Sequence, residues 1–290
     1  MIIMNCLSSA DRARIVSCLV EGNSIRATAR MTGFSQNTIT KLLVDMGDAC
    51  LKAHDQMVRG LKCKRVHADE IWSFVGAKQK NVPEEKAEDW GDVWTWTAID
   101  ADSKLIVSYV LGQRGPRWAR AFMEDVASRI DSRIQLTTDG LKMYGETVEG
   151  AFGMDVDYAM LIKLYGSDGH DLRYSSGDCI DTQTAVLQGS PDPKHISTSF
   201  IERQNLTMRM QIRRFTRLTN AFSKKIQNHE AAIALHFMHY NFCRIHKSLR
   251  VTPAMEAGLS GHVWTVEELV ALLPEPVAKK RGPYKKRISN

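Results

Sequence analysis

None of the six cysteines stands in a CxxC pair, and no cysteine–histidine cluster has zinc-site spacing. A zinc-held fold is therefore excluded, and the thiols read as reduced, buried small hydrophobes. No apolar run is long enough to span a bilayer, and no basic segment followed by an apolar core opens the chain. The expectation is a cytosolic protein with no membrane association. There is no internal repeat. Hydrophobic residues make up 43% of the 290 positions, which permits a well-filled core and excludes global disorder.

The net charge of +6 is modest but unevenly spread. Between Glu202 and Arg250 ten Lys and Arg face two acids, and the tail from Lys279 to Asn290 holds six basic residues and no acid. Such blocks suit a polyanion, because each neutralised phosphate releases condensed counterions. A solvated basic face with a polycationic tail is the plainer alternative.

Helical periodicity dominates residues 9–46. Ser8 and Ser9, Ser24 and Ser35 stand where N-caps belong, Gly22-Asn23 ends the first helix, and Thr32-Gly33-Phe34 makes a tight turn before a third helix that runs to Leu43. Two short helices around a glycine turn read as a helix-turn-helix, with Gln36, Asn37, Thr38 and Lys41 at the start of the second placed to touch bases. An ordinary small helical bundle has the same pattern. Residues 47–62 look like a helical connector.

Strand-like runs follow at 66–75, 93–99, 105–111, 134–138 and 158–164, with helices at 119–130 and 141–152 between the later ones. Residues 78–92 read as an exposed hairpin loop. Residues 166–194, rich in Gly, Asp and Ser, read as a long loop or flap. Helices are expected at 198–213, 231–244 and 264–273. Three meandering strands followed by βαβ crossovers predict an α/β fold: a ribonuclease-H-like mixed five-stranded sheet with flanking helices, plus an N-terminal all-α helix-turn-helix domain. The expected divisions are 1–60, 61–262 and 263–290, the last a short helix and basic tail.

In that topology the first and fourth strands are central neighbours. Asp69 within the first, Asp139 just past the fourth, and Glu202 on a covering helix then converge. Three clustered carboxylates repel unless a dense positive charge joins them. Mg²⁺ suits oxygen ligands, with Mn²⁺ as a substitute, and two such ions about 4 Å apart activate the attacking oxygen and stabilise the leaving one in phosphodiester chemistry. Taken singly, Asp139-Gly140 is an ordinary turn and Glu202 an ordinary helix N-terminal acid. Asp69, set among Val, Ile, Trp and Phe, is the unusual one.

The run from Ser197 to Leu259, together with HADEIWSFVG and TTDGLKMYG, resembles insertion-sequence transposases of the IS-one family. The resemblance implies a DDE catalytic triad of Asp69, Asp139 and Glu202. It also implies a basic residue seven positions after the glutamate, met here by Arg209, with His195 and Thr198 where the broader pattern has Tyr and Arg. Arg209 would contact end phosphates. Arg213, Arg214, Lys224, Lys225 and the tail residues Lys280 and Arg281 are further DNA-contact candidates. The activity implied is that of a metal-dependent enzyme that hydrolyses DNA at inverted-repeat ends and then transfers the 3′-hydroxyl into target DNA, acting as a dimer or higher multimer. The rivals are a nuclease on the same fold and a non-catalytic DNA-binding regulator. His67, His236 and His239 read as packing residues. Trp72, Trp94, Trp96 and Trp118 read as core or lid residues, one of them a candidate to stack on an extruded base.

Overall fold

The computed structural model describes residues 7–166, 179–216 and 219–274. Cys6, Arg217 and the tail bearing Lys280 and Arg281 lie outside the described residues.

The serine caps hold. Ser8 Oγ accepts from Asp11 N and opens α1 (Ser9–Val20); Ser24 Oγ accepts from Ala27 N and opens α2 (Ile25–Thr32). Ser35 Oγ accepts from Thr38 N and opens α3 (Gln36–Met57). Gly33 closes α2 at φ 79°, a left-handed conformation that glycine adopts without penalty. Helix α3 continues past Leu43 as one 22-residue element and absorbs most of the expected connector.

Gly47, in the middle of α3, has a packing role. A Cβ there would overlap Cα and Cβ of Ala231 on α7 (Ile226–Phe242), so the two helices touch backbone to backbone. Alanine gains about 1 kcal/mol over glycine in a free helix. Overpacking a closed contact costs about 1–3 kcal/mol. The clash is against backbone, so the second effect wins. Gly47→Ala is expected to lose about 1 kcal/mol net in urea unfolding, and Gly47→Leu clearly more. A stabilised Gly47→Ala would contradict this contact.

The sheet has six strands in the order β3-β2-β1-β4-β5-β6. β1 (Arg65–Val75), β2 (Gly91–Asp100) and β3 (Ile106–Gly112) form the antiparallel meander. α4 (Pro116–Arg129) leads to β4 (Ile134–Asp139), which lies parallel to β1, and α5 (Met143–Phe152) leads to β5 (Val156–Tyr165), parallel to β4. The expected count of five is corrected by β6 (Cys179–Gln188), antiparallel to β5 within the stretch read as a loop. Nearly every β6 residue is exposed, so it buries no apolar face, and hydrophobic alternation, the signal that marks strands in sequence, is missing. Its ladder of backbone hydrogen bonds is what holds it.

Helices cover both faces. On one, Trp96 meets Phe122 of α4 and Tyr144 of α5 at ring-centroid distances of 6.1 and 5.7 Å. On the other lie α6 (Ser199–Gln211) and α7. Asn241 near the end of α7 is fully buried and clamps the edge strand: its Oδ1 accepts from Ile106 N (2.9 Å) and its Nδ2 donates to Ile106 O (3.0 Å). A single buried cluster runs from α1 and α3 through the sheet to α7 and the short α8 (Pro253–Glu256) and α9 (Val266–Val270).

Candidate active site

The parallel pairing of β1 with β4 stops at Ala68–Thr138, while the pairing of β1 with β2 continues to Val75–Gly91. Asp69 and Asp139 each stand one step past the last paired residue, where β4 ends and the sheet opens. Carboxylate oxygens of Asp69, Glu70 and Asp139 lie within 4.8 Å of one another. Strand alternation sends Asp69 and Glu70 to opposite faces. Both reach Asp139 because no backbone of β4 extends between them.

Asp69 is tightly held. Its Oδ1 accepts from the Glu70 amide (2.8 Å) and its Oδ2 from Asn205 Nδ2 of α6 (2.8 Å). Asp139 Oδ1 accepts from the Leu141 amide (3.2 Å). Glu70, only 3% exposed at its side chain, accepts from Arg114 Nε (2.8 Å) and from the Tyr144 hydroxyl (3.1 Å). Glu202, in the first turn of α6, is not in the three-carboxylate group. Its Oε1 accepts from Lys163 Nζ of β5 at 2.5 Å and from the Thr198 hydroxyl. Its charge still acts on both Asp69 and Asp139.

Burial, then the charges of Asp139 and Glu70, push Asp69 up to about 8. Burial and Asp139 push Glu70 up to about 7, against the pull of Arg114 and Tyr144. Burial raises Asp139 as well, with the Leu141 amide and Arg114 opposing. Carboxyls that keep protons near neutrality are short of positive charge. An all-oxygen donor set this close fits a hard divalent cation.

Of the three carboxylates singled out in the sequence, the structure brings Asp69 and Asp139 together and leaves Glu202 outside their group, and it adds Glu70, Asn205, Arg114 and Lys163, which the sequence did not mark. Asn205 had a usable signal, since three residues after Glu202 it shares that helix face. Glu70 had a contrary one, the alternation that points it away from Asp69. Arg114 comes from the connection between β3 and α4 and Lys163 from β5, and no local pattern marks them.

His67 is buried and stacks on Phe200 (5.6 Å), with burial and the Arg65 and Lys104 charges pulling it down to about 4. Gln36, Asn37 and Lys41 are exposed on α3, Thr38 partly so, and Asn37, Thr38 and Lys41 line an open groove of ≈1060 Å³ that Leu272–Pro274 also border. Lys41 pairs with Asp45 at 2.5 Å. Arg213, Lys224 and Lys225 are exposed, and Arg209 is half-buried. Arg214 turns inward: its Nε donates to Ser223 Oγ (2.6 Å), and burial lowers it to about 10.

No family model matches the chain. Over 169 residues it is 24% identical to the insertion element iso-IS1n protein InsB of Shigella dysenteriae, a span of 57% of this chain and 87% of that protein. The piggyBac transposase synaptic complex with hairpin DNA overlaps 91% of this chain and 69% of its own at 11% identity and a TM-score of 0.37. The Mos1 transposase paired-end complex with the left transposon end overlaps 55% of this chain and 60% of its own at 12% identity and a TM-score of 0.23. Overlaps at TM-scores this low do not establish a shared fold, so the similarity that bears on this chain is the one to InsB.

Proposed function

We propose that this chain is a DNA transposase of the IS-one insertion-sequence type, built on a ribonuclease-H-like sheet, with Asp69, Asp139 and Glu202 as its catalytic carboxylates. The observation that carries the reading is the meeting of Asp69, midway along β1, with Asp139 at the end of the neighbouring central strand β4, and with Glu202 on the helix above. The likeness to InsB supports the same assignment. In this reading residues 1–60 grip the element's ends through α2 and α3, residues 61–262 cut and join, and the segment 263–290 adds basic contacts.

Two divalent cations, Mg²⁺ or Mn²⁺, would supply the charge that a phosphodiester displacement needs at its attacking and leaving oxygens. Asn205 fixes the orientation of Asp69, and the Leu141 amide fixes Asp139. Glu202 joins them by leaving Lys163, which is then free to face a phosphate. In the first step a water oxygen forms a bond to phosphorus and the 3′-oxygen leaves. In the second that 3′-hydroxyl attacks a target phosphodiester and displaces another 3′-oxygen. Two ends must be cut in concert, so a dimer on DNA is expected.

Duplexes ending in the element's inverted repeat, incubated with Mg²⁺ or Mn²⁺, test this. Cleavage followed by joining of the 3′-end to a second duplex is the expected result. Hydrolysis without joined products would replace the reading with a nuclease. Binding with no cation-dependent cleavage would replace it with a regulator.

A further inference from the structure

β1 and β2 run on beyond the point where β4 stops, and this projecting hairpin carries aromatic rings that the core does not use. Trp72 and Phe74 share one face of β1 with ring centroids 5.8 Å apart. Phe222 stands 5.1 Å from Phe74, set there by the bridge between Val75 and Ser223 and by Gly76 N donating to Ser223 O (2.8 Å). All three are half-buried, and none belongs to the core cluster or to the hydrophobics packed on it. A ring stripe of this kind is costly to leave in water and adds nothing to the interior.

Cations flank it. Lys78 Nζ lies 5.6 Å from the Trp72 ring centroid, and Lys224 and Lys225, both exposed, follow Phe222 after Ser223, while Asp92 stands opposite Phe74 on β2. Flat rings beside ammonium groups match a strand of nucleic acid, whose bases stack and whose phosphates attract. A protein partner would need no such run of lysines. Trp72 shares its face of β1 with Glu70, two residues and roughly 7 Å away along the strand, which is about two nucleotides at the rise of one DNA strand.

We propose that Trp72, Phe74 and Phe222 form a stacking wall for unpaired nucleobases of the DNA strand next to the reacting bond. The proposal rests on the transposase reading for its substrate, and its own ligand is single-stranded DNA near the cut. Because the rings lie outside the core, alanine at these positions leaves the fold intact.

The test uses the full chain in EDTA, where no cleavage occurs, and measures affinity for a short oligothymidylate and for a fully paired duplex of matched length. Trp72→Ala and Phe222→Ala are each expected to weaken the single strand about tenfold, in line with loss of one base–ring stack. The duplex should change less than twofold, and Trp72→Phe should restore binding. Wild-type protein with no affinity for the single strand, or alanine variants that bind it normally, would overturn the wall. If the alanines instead alter only the sedimentation mass, the patch joins copies of this chain and the proposal fails. Single-strand binding that persists in a protein unable to cleave any DNA end would keep the wall and sink the transposase reading.

Discussion

Asp139→Asn is expected to lower end cleavage by on the order of a thousandfold or more, the scale seen when one preorganised electrostatic element of a transition state is removed. Affinity for the uncleaved end should stay within about threefold, because the substitution is nearly isosteric and far from α3. The variant should also be the more stable protein without cations. Asp69 is pushed up to about 8 partly by the Asp139 charge, and removing that charge relaxes the repulsion. Because the folded pKa of Asp69 is raised above its unfolded 3.8, the cation-free native state binds a proton that the unfolded chain does not, from about pH 4 to about 8. Cation-free stability therefore falls as pH rises through this window. If Mg²⁺ binds these carboxylates as proposed, it would take the proton's place, and its stabilising effect should grow from pH 6 to pH 8 in wild type and largely vanish in Asp139→Asn. Differential scanning calorimetry alongside a gel assay reads both. Wild-type cleavage by the variant would remove Asp139 from the mechanism.

The second large effect is acid unfolding. His54, His229 and His236 are 2%, 0% and 3% exposed. Burial, seconded by the Arg129, Arg214 and His239 charges in turn, pulls them down to about 4, 3 and 3. At His54 the Ile106 carbonyl, 3.2 Å from Nε2, opposes the shift without overcoming burial; His229 sits between the Ser73 and Ser223 hydroxyls at 2.9 and 3.3 Å, and neither ring nitrogen of His236 has a hydrogen-bond partner among the described residues. A depressed folded pKa means that the unfolded chain takes up the proton first. The stability these histidines contribute is complete above pH 6.5 and is lost as pH falls below it. Each removes about 1.4 kcal/mol per pH unit, so three remove about 4. Asp69 and Glu70 work the other way in cation-free protein, returning up to about 3 kcal/mol per unit over the same range. His67 and His239, each pulled down to about 4, add to the histidine side, so the histidines win by roughly 4 kcal/mol per unit. With Mg²⁺ bound the carboxylates no longer take up protons, and the full slope should appear. The melting temperature should therefore drop between pH 6.5 and 4.5, more steeply with Mg²⁺, and His236→Leu should remove about a fifth of the histidine slope. A flat profile would mean that these rings are not held neutral.

Much of this architecture was legible where one physical signal acts alone. Serine caps fix helix starts through a single side-chain hydrogen bond, and five strands announced themselves by apolar β-branched runs. The adjacency of Asp69 and Asp139 followed from topology, since a meander and two crossovers put β1 beside β4. Legibility failed where two signals conflict or where none exists. Helix α3 ran on past the expected end at Leu43, held by the contact of Gly47 with Ala231, which no local pattern marks. β6 has no buried face to report. Glu70 obeys strand alternation and still joins the acidic cluster, because the neighbouring strand ends. The ammonium of Lys163 reaches Glu202 across the sheet surface, a pairing that exists only in three dimensions.

That last pairing bears on which ions the centre admits. In the cation-free molecule Glu202 already has a unit positive charge against it. A sodium or potassium ion arriving there would exchange one monovalent partner for another and forfeit the ammonium's hydrogen bond. If Glu202 joins a cation as proposed, only a doubly charged ion would improve on the resident lysine, and valence would then select before ionic radius does.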